Sequence, residues 1–501
     1  MPNSQQQWIE TFFASQLFHD VQMSGLFSDS KTFADAEPKS DFEAILERYG
    51  STKHDPEFEL NHFVEQHFTI RKLEELTSSI LLEDISEQIN HLWSVLKKPA
   101  DLSQRGSLIP LERAYTVPGG RFQEVYYWDS YFAALGLIES GHVAEVIDLI
   151  ENFISVQQRV GCIPNGNRWY YNSRTQPPIL ALLVELLESN SVCTEKQLTR
   201  YRQAIEVEYG FWMKGAEFLQ PNQAKSRAVR LQDGELLNRY FDDKATPRPE
   251  SYAEDIKLAD KLPERDKAEF YRNIRAACES GWDFSSRWFR DSNDMNTIAT
   301  TEVIPVDLNS ILYFVETWLA KSYSVSDVDK SEQYNLAAER RRAAIEKYLW
   351  DQEEGVYLDY WFLSGSKSEV KTLATAWPLF FGLPNELQAE LIANELKTNF
   401  LSNGGLVTTL NTTEQQWDSP NGWAPLHWIT IQGLKRYQAD ELAEQITLRW
   451  LETVTKTYQN TGKLMEKYNV VDTAAKADGG EYDVQEGFGW TNGVTLALLA
   501  K

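Results

Sequence analysis

The stretch ILALLVELL at residues 179–187 decides the fold class, because it is apolar on nearly every side of a helix. A helix of this kind is buried all round, and we expect it inside the protein. The apolar residues of the preceding segment, 143–156, are Val143, Val146, Ile147, Ile150, Phe153 and Ile154, the spacing of a single buried face. Similar helical periodicity runs through residues 308–320, 336–349, 387–396 and 442–454. Alternating inner and outer helices predict an all-α fold.

Loops rich in aromatic and charged residues join the predicted helices. This order favours a toroid of paired helices, an (α/α) barrel with functional loops at one end. The sequence shows no repeated strand–helix pattern, no GxGxxG motif and no phosphate-binding loop motif. Weak alternation near residues 356–362 predicts one short hairpin. No repeat of fixed period is visible, so periodicity alone does not give the number of helix pairs.

The 501 residues are predicted to form one domain, because no linker rich in Pro, Gly or Ser divides them. Residues 61–501 are assigned to the barrel. Residues 1–60 contain the polar stretch DSKTFADAEPKSD (29–41), and we expect them to form a loop-like extension that wraps around the barrel. The protein is expected to be a monomer.

The charge and the residue types exclude several classes of protein. Lys and Arg number 49 against 74 Asp and Glu, and the net charge of −25 repels nucleic-acid phosphates and anionic membranes. No apolar run approaches the roughly 20 residues of a membrane helix. The seven histidines form no HExxH motif and no Cys/His cluster, so the sequence gives no support for a metal site.

The predicted location is the cytoplasm. The three cysteines, Cys162, Cys193 and Cys278, are few and far apart, which favours a reducing compartment over a disulfide framework. No Lys or Arg precedes Lys31, so the N-terminus lacks the basic start of a secretory signal.

Aromatic residues give the first indication of function. There are 62 of them, and many lie in polar stretches punctuated by Gly and Pro. The stretches are GGRFQEVYYWDSYF (119–132), NGNRWYYNSRTQPP (165–178), SGWDFSSRWFRD (280–291), QQWDSPNGWAPLHW (415–428) and EGFGWTNG (486–493). Aromatic rings pack against the C–H faces of sugars, while fixed polar groups bind the hydroxyls. A large core also uses aromatic residues, but their placement here indicates carbohydrate recognition.

Glycoside hydrolysis needs two carboxyl groups, one to protonate the leaving oxygen and one to attack the sugar or to activate a water. The acidic candidates in the aromatic loops are Glu124, Asp129, Glu250, Asp283, Asp418, Glu466, Glu481 and Glu486. Spacing selects no pair among them, and most are expected to pair with an arginine or to cap a helix.

Three arginines lie in the same loops, namely Arg121, Arg174 and Arg248. A guanidinium can donate two hydrogen bonds to vicinal sugar hydroxyls or to a carboxylate. An isolated loop arginine is more often a surface residue, but three of them in the aromatic loops of an acidic protein favour a binding site.

Two long segments, PGGRFQEVYYWDSY (118–131) and QWDSPNGWAP (416–425), resemble the two signature motifs of the trehalase family of glycoside hydrolases. Further segments that resemble the family, in its order, are IPNGNRWYYNSRTQPP (163–178), RPESYAED (248–255), SGWDFSSRW (280–288), MEKYN (465–469) and GGEYDVQEGFGWTNG (479–493). The resemblance begins near LFSDSKTFAD (26–35) and extends to the C-terminus. It is specific, because long motifs in a fixed order rarely match by chance.

The resemblance implies an (α/α)6 barrel that hydrolyses α,α-trehalose to two glucose molecules with inversion and without a cofactor. It implies Asp283 as the general acid and Glu466 as the general base. The substrate-binding positions that it implies are Arg121, Phe122, Trp128, Asp129, Asn165, Arg174, Gln176, Arg248, Glu250, Ser280, Gly281, Trp417, Asp418 and Glu481. A cytoplasmic bacterial trehalase is the member of the family that we expect.

The neighbours of the two carboxyl groups agree with these roles. Asp283 lies between Trp282 and Phe284, an apolar setting that favours the protonated acid, although Asp283 could instead cap the helix predicted after it. Glu466 precedes Lys467, whose charge favours an ionised base.

The sequence departs from the family at two points and leaves two alternatives open. Asn469 stands where the family has Asp, and only Gly479 and Gly480 remain of a longer glycine-rich loop that could close over the site as a lid. The alternatives are an inverting glycosidase acting on another α-glucoside, and a non-catalytic carbohydrate-binding protein on the same fold.

Overall fold

The computed structural model describes residues 4–70, 81–101, 106–477 and 479–500. Within these residues the α-helices are α1 (Ser4–Phe13), α2 (Gln16–Met23), α3 (Ser30–Ala34), α4 (Phe42–Thr52), α5 (Leu60–His67), α6 (Ile85–Leu96), α7 (Asp129–Glu139), α8 (Val143–Val160), α9 (Leu180–Ser189), α10 (Glu195–Trp212), α11 (Tyr252–Ala259), α12 (Glu264–Ser280), α13 (Val306–Tyr323), α14 (Val328–Tyr348), α15 (Ala376–Phe381), α16 (Glu386–Glu395), α17 (Ala424–Arg436), α18 (Asp440–Thr461) and α19 (Gly489–Leu499). Helices therefore dominate the fold, as the sequence predicts.

Short strands lie in the segments between the helices. They are β1 (Glu37–Pro38), β2 (Phe68–Thr69), β3 (Lys97–Lys98), β4 (Tyr115–Thr116), β5 (Gln223–Lys225), β6 (Ala228–Arg230), β7 (Leu236–Asn238), β8 (Val303–Ile304), β9 (Trp350–Asp351), β10 (Val356–Tyr357), β11 (Tyr360–Trp361), β12 (Ser366–Lys367), β13 (Leu401–Ser402), β14 (Gly405–Leu406), β15 (Asn421–Trp423) and β16 (Lys467–Asn469). They form small antiparallel sheets, β1–β2, β3–β4, β5–β6–β7, β12–β11–β8, β9–β10, β13–β14 and β15–β16.

Helices α7, α9, α13, α15, α17 and α19 are buried on most sides and form an inner ring. In this ring α19 packs on α7, α7 on α9, α13 on α15, α15 on α17 and α17 on α19, and α10 contacts both α9 and α13. Helices α6, α8, α10, α14, α16 and α18 lie outside it and bury one face each. Six inner and six outer helices make the (α/α)6 barrel.

Two glycines bring α19 and α7 together. A Cβ on Gly136 would lie 2.6 Å from the Cα of Gly493, and a Cβ on Gly493 would lie 2.0 Å from the carbonyl oxygen of Phe132. Only glycine fits at such a backbone crossing. The sequence gives no reason to single out these two residues, because the contact joins positions that lie far apart in the chain.

The helices predicted over residues 143–156, 179–187, 308–320, 387–396 and 442–454 are confirmed by α8, α9, α13, α16 and α18. The predicted hairpin at 356–362 is wrong. Strand β10 pairs with β9, whereas β11 pairs with β12 and β8. The chain diverges between β10 and β11 because Asp359 turns inward, where its carboxylate accepts hydrogen bonds from Arg287 (2.6 Å) and from the backbone N–H of Val306 (2.9 Å).

The N-terminal segment is helical, and the expectation of a loop-like extension is wrong. Ser15, Asp29 and Asp41 cap α2, α3 and α4 through their side chains. The large apolar residues between these polar stretches form a second core, which includes Phe12, Leu17, Phe18, Val21, Phe33, Phe42 and Ile45. The sequence does not reveal this core, because its members come from the short helices α1 to α5 and from distant residues such as Tyr126. The domain boundary at residue 60 stays a prediction.

The long loops of the barrel lie at one end. Each inner helix is preceded by a long connection, such as residues 213–305 before α13, which include α11 and α12, or residues 462–488 before α19. A short turn follows α7, α9, α13, α15 and α17, such as residues 140–142 after α7. The aromatic stretches of the sequence all precede or begin inner helices. This confirms that the loops cluster at one end. No helix in the described ranges has the length and apolar character needed to cross a membrane.

Candidate active site

A pocket opens among the long loops at this end of the barrel. Of the residues that the sequence analysis singles out, it is lined by Arg121, Phe122, Trp128, Asp129, Asn165, Arg174, Gln176, Arg248, Glu250, Gly281, Asp283, Trp417, Glu466 and Glu481. Residues from widely separated loops therefore meet in one place, and both proposed catalytic carboxyl groups are among them.

Two predicted binding residues, Ser280 and Asp418, do not line the pocket. The Ser280 hydroxyl donates to the carbonyl oxygen of Ala277 (2.5 Å) and accepts from the backbone N–H of Trp282 (3.0 Å). The Asp418 carboxylate is fully buried and accepts hydrogen bonds from the hydroxyls of Ser285, Thr409 and Thr413 and from the Ser286 backbone N–H. Asp418 therefore holds the loop after Asp283 in place, and the structure does not place its carboxylate among the groups that line the pocket.

The end of α12 positions Asp283. Helix α12 stops at Ser280 because Gly281 takes a left-handed φ of 77°, and a Cβ there would lie 2.8 Å from the Trp128 ring. The side chain of Trp282 then stacks on Trp417, with ring centroids 5.4 Å apart. Asp283 caps no helix: the short 3-10 helix Ser286–Trp288 is capped by Ser285, whose hydroxyl accepts from the Arg287 N–H. The carboxyl group of Asp283 is left to line the pocket.

Burial raises the pKa of Asp283 to about 7. The guanidinium of Arg248 acts in the opposite direction, and the carboxylate of Glu481 adds to the rise. Asp283 is therefore protonated in a large fraction of molecules near neutral pH, as a general acid must be. The expectation from its apolar neighbours in sequence agrees with this direction.

Glu466 lies immediately before β16, which pairs with β15. Its backbone N–H donates to the carbonyl oxygen of Gln485 (2.9 Å), and its carbonyl oxygen accepts from the Trp490 indole (2.8 Å). The Tyr482 hydroxyl donates to Oε1 at 3.0 Å, and the backbone N–H of Gln485 donates to Oε2 at 3.4 Å. These bonds hold the carboxylate from the side of the loop that precedes α19.

Burial raises the pKa of Glu466, and Lys467 only reduces that rise. The ammonium of Lys467 donates to the Gln416 amide oxygen (3.0 Å) and to the carbonyl oxygen of Gly479 (2.6 Å). The prediction that Lys467 favours the ionised base therefore has the right sign, but desolvation of the carboxylate outweighs it. The hydrogen bonds from Tyr482 and Gln485 also lower the pKa of Glu466.

Asp129 is a third buried carboxyl group in the pocket. Burial raises its pKa well above the usual range, and the charges of Glu466 and Asp283 add to the rise. A neutral carboxylic acid can both donate and accept a hydrogen bond, so Asp129 is suited to a sugar hydroxyl.

Carboxylates hold each of the three predicted arginines. Arg174 donates to Glu250 (2.5 Å) and Asn165 (3.0 Å). The other two arginines form two-pronged pairs, Arg121 with Asp29 (2.9 and 2.8 Å) and Arg248 with Asp255, and Arg248 also donates to Glu481 (2.8 Å). These fixed guanidinium groups line the pocket with their orientation already set, which is the preorganisation that a specific polar site needs.

Stacked tryptophans form one wall of the pocket. The rings of Trp417 and Trp423 are parallel, with centroids 3.9 Å apart, and Trp128 lies 5.9 Å from Trp417. The indole of Trp423 donates to the carbonyl oxygen of Gln416 (3.1 Å). A rigid aromatic surface of this kind suits the C–H face of a pyranose ring.

Sequence reasoning missed several lining residues, namely Tyr126, Tyr171, Ser251, Cys278, Gln416, Trp423, Tyr482, Phe488 and Trp490. Most belong to the aromatic stretches and motifs already quoted, so the stretches were found but the individual side chains were not. Which residues of a loop face the pocket depends on its tertiary packing, which local sequence does not reveal.

Within the described residues, no group of three His, Cys, Asp or Glu side chains is placed to hold a metal ion.

The two departures from the family have local explanations. The Asn469 side-chain oxygen accepts from the backbone N–H groups of Val471 (3.1 Å) and Asp472 (2.8 Å), a turn that either Asn or Asp can form. Gly479 and Gly480 both have left-handed φ values, and each lies against the segment Glu414–Gln416, where a Cβ would approach within 2.6–2.8 Å. These two glycines let the loop lie close to the pocket rim.

A helical barrel that holds buried carboxyl groups in one pocket of aromatic and polar side chains has the groups that a glycoside hydrolase needs. Comparison with known proteins identifies the family: the trehalase family model matches residues 25–501. The chain belongs to the trehalase family.

Curated relatives and solved structures agree with this assignment. The chain is 46% identical over 485 residues to the periplasmic trehalases of Salmonella agona (strain SL483) and Escherichia coli O45:K1, covering 96% of this chain and 85–86% of theirs. The structure of neutral trehalase from Saccharomyces cerevisiae is similar with a TM-score of 0.64 and 25% identity, over 84% of this chain and 80% of that one. A mannosylglycerate hydrolase from Thermus thermophilus shares the fold at 18% identity, with a TM-score of 0.53 over 83% of this chain and 100% of that one.

The predicted cytoplasmic location is wrong, because the relatives at 46% identity are named periplasmic trehalases. The prediction rested partly on the three cysteines. Cys162 and Cys278 are buried and Cys193 is half-buried, each without a disulfide. A fold that uses no disulfide requires neither an oxidising nor a reducing compartment, so the cysteine pattern does not distinguish the two.

Proposed function

We propose that this protein hydrolyses α,α-trehalose to two glucose molecules with inversion at one anomeric carbon. The observation that carries the proposal is the pairing of Asp283 and Glu466 in one pocket, with different partners around each carboxyl group. Membership of the trehalase family and the names of the relatives support trehalose as the substrate. The same names favour the periplasm as the site of the activity.

Asp283 acts as the general acid in this proposal. Its protonated carboxyl group donates to the glycosidic oxygen as the bond to the anomeric carbon breaks, so that the first glucose leaves as a neutral alcohol. A pKa of about 7 keeps the proton available near neutral pH and still allows its release.

Glu466 acts as the general base. Its carboxylate accepts a proton from a water that attacks the anomeric carbon from the face opposite the leaving oxygen. The hydrogen bonds from Tyr482 and Gln485 orient the carboxylate and favour its ionised form. After turnover Asp283 is ionised and Glu466 is protonated, and exchange with solvent restores both groups.

The arginines and the aromatic wall bind the sugar in this proposal. Arg121, Arg174 and Arg248 present fixed donors to sugar hydroxyls, and the raised pKa of Asp129 favours a protonated carboxyl group that can donate as well. Trp128 and Trp417 cover the ring faces. A pocket made of oriented polar groups rejects a sugar that leaves one of them unpaired, because an unpaired buried group costs about 1–3 kcal/mol.

The experiment that tests the proposal is a glucose-release assay with trehalose, maltose and sucrose, using purified wild-type protein. We expect turnover of trehalose and at least a hundredfold lower kcat/KM with the other two sugars. Preference for maltose or sucrose would indicate a different α-glucosidase on the same barrel. Binding of sugar with no release of glucose from any of the three would indicate a non-catalytic protein.

A further inference from the structure

Asp29 connects the N-terminal segment to the pocket. Its carboxylate binds the pocket residue Arg121 through both oxygens: Oδ2 accepts from Nε at 2.9 Å and Oδ1 accepts from Nη2 at 2.8 Å. Asp29 and Arg121 lie 92 positions apart in the chain, and Asp29 belongs to LFSDSKTFAD (26–35), where the family resemblance begins, rather than to the segments that carry the pocket residues.

The other contacts of Arg121 fix the plane of its guanidinium group but not the direction in which the N–H groups point within that plane. Its backbone N–H donates to the Gln485 side-chain oxygen at 2.7 Å, and the guanidinium carbon lies 4.6 Å from the Tyr482 ring centre and 5.4 Å from that of Phe122. Ring faces attract a cation but leave it able to turn about the ring normal. The two parallel hydrogen bonds to Asp29 remove that freedom, because a fork-to-fork pair has one geometry.

Asp29 is itself held firmly at the start of α3. Its Oδ1 accepts from the backbone N–H of Lys31 (2.8 Å), which makes Asp29 the N-cap of the helix. The next residue, Ser30, donates to Glu254 (2.7 Å) and accepts from the backbone N–H of Ala253 (3.2 Å). Helix α3 is therefore attached to the start of α11, which directly follows the turn that carries the pocket residue Glu250.

Lys31 attaches the other side of α3 to the loop of Arg121. Its ammonium pairs with the fully buried carboxylate of Glu124 at 2.5 Å and also with Asp35. The second core of the N-terminal segment includes the pocket residues Tyr126 and Tyr171. The segment is thus built into the wall of the pocket at several points, and Asp29 is the residue that binds the guanidinium of the pocket residue Arg121.

We propose that Asp29 is a positioning residue that sets the direction in which Arg121 presents its donors to the sugar. The inference rests on the proposed function, since it takes Arg121 to contact the substrate. It assigns the N-terminal segment a part in substrate binding that its polar sequence does not suggest.

The test is the variant Asp29→Asn, assayed with trehalose. Asn is as good an N-cap as Asp, so α3 keeps its cap, but an amide offers Arg121 one acceptor and one repelling N–H₂ group. We expect kcat/KM to fall about tenfold, chiefly through KM, the size of effect of losing one charge-assisted hydrogen bond. Asp41→Asn makes the same change at the N-cap of α4, where Asp41 accepts from the Ala44 N–H, and is expected to stay within about twofold of wild type.

A double-mutant cycle with Arg121→Ala separates positioning from a structural role. If Asp29 acts through Arg121, adding Asp29→Asn to Arg121→Ala changes kcat/KM by less than about twofold. If the carboxylate merely supports the fold, the two losses multiply and the inference is overturned. Should Asp29→Asn fail to fold by circular dichroism, Asp29→Glu takes its place in the cycle, because it keeps the charge and displaces the pair by one methylene.

The outcomes distinguish this inference from the proposed function. Wild-type protein that releases no glucose from trehalose overturns the proposed function and the inference with it. Wild-type activity together with an unchanged KM in Asp29→Asn overturns the inference alone.

Discussion

The two carboxyl groups proposed as catalytic, Asp283 and Glu466, are held by different kinds of structure. Asp283 follows α12 directly, and its loop is bound to the loop before α17: the Trp417 backbone N–H donates to the carbonyl oxygen of Phe284 (3.0 Å), and the Gln416 amide donates to that of Asp283. The oxygens of Glu466 are bound instead by Tyr482 and Gln485, from the loop that precedes α19.

This difference separates two ways of controlling a catalytic carboxyl group. The protonation of Asp283 is set mainly by burial and by the charges of Arg248 and Glu481. The orientation of Glu466 is set by hydrogen bonds from the residues that follow Gly479 and Gly480. Changes in the charges around Asp283 should therefore shift the pH profile, whereas changes at Tyr482 or Gln485 should lower kcat.

Removing either carboxyl group should have the largest effect. We expect Asp283→Asn and Glu466→Gln to lower kcat on trehalose at least a thousandfold, because each removes one proton-transfer group, and such groups contribute roughly 10²–10⁴. Circular dichroism should show both variants folded. Near-normal turnover by Glu466→Gln would place the base elsewhere, with Glu481 as the next candidate.

The three arginines should have the next largest effect. Arg121→Ala, Arg174→Ala and Arg248→Ala should each lower kcat/KM at least tenfold, because buried sugar hydroxyls lose their partners. The structure also predicts how the variants differ in stability. Arg248→Ala leaves the fully buried carboxylate of Asp255 without its cation, so this variant should have the lowest melting temperature. Arg121→Ala should cost less stability, because its partner Asp29 is partly exposed to solvent. Wild-type kinetics in all three variants would remove the arginines from the site.

Tyr482→Phe tests how the base is oriented. The variant keeps the ring that lies over Arg121 and loses only the hydroxyl that donates to Glu466. We expect kcat to fall about five- to tenfold with KM nearly unchanged, which corresponds to one hydrogen bond of about 1 kcal/mol. Tyr468→Phe is the matched control, since its hydroxyl accepts from the Met465 backbone N–H and does not touch Glu466. Equal losses in both variants would show that Tyr482 has no special effect on the base.

Glu481→Gln should give the smallest effect, a shift in the pH profile. The charge of Glu481 raises the pKa of Asp283, whereas Arg248 lowers it. Replacing Glu481 removes the negative charge and leaves Arg248 less neutralised, so the pKa of Asp283 falls below about 7 and the alkaline limb of kcat/KM moves to lower pH. An unchanged or raised alkaline limb would show that Asp283 is not the group that titrates there.

Much of the barrel could be predicted from local sequence, because ILALLVELL and its amphipathic neighbours carry their burial in their own periodicity. The number of helix pairs came from the family resemblance. The helices of the N-terminal segment were missed because their shared core joins residues from five short elements. The 356–362 hairpin failed because Asp359 is drawn to Arg287, 72 positions away.

The sequence predicts which loops form the site, but it does not predict which side chains of those loops contact one another. Asp418 lies beside the pocket residue Trp417 in a motif, yet its carboxylate faces Ser285 and Thr413. Tyr482 and Asp29 were missed because each acts on a residue that is distant in sequence. Residue type and spacing identify which loops carry chemistry, but the direction of each side chain depends on partners brought in by the fold.

The stereochemistry of the products tests the central claim most directly, that Asp283 and Glu466 act as the acid and base of an inverting enzyme. Water activated by Glu466 attacks one anomeric carbon and yields β-glucose, while the leaving glucose keeps its α configuration. Proton NMR in the first minutes of trehalose hydrolysis, before mutarotation, should show α- and β-glucose in about equal amounts. Early product that is almost entirely α-glucose would mean retention, and would contradict the roles assigned to Asp283 and Glu466.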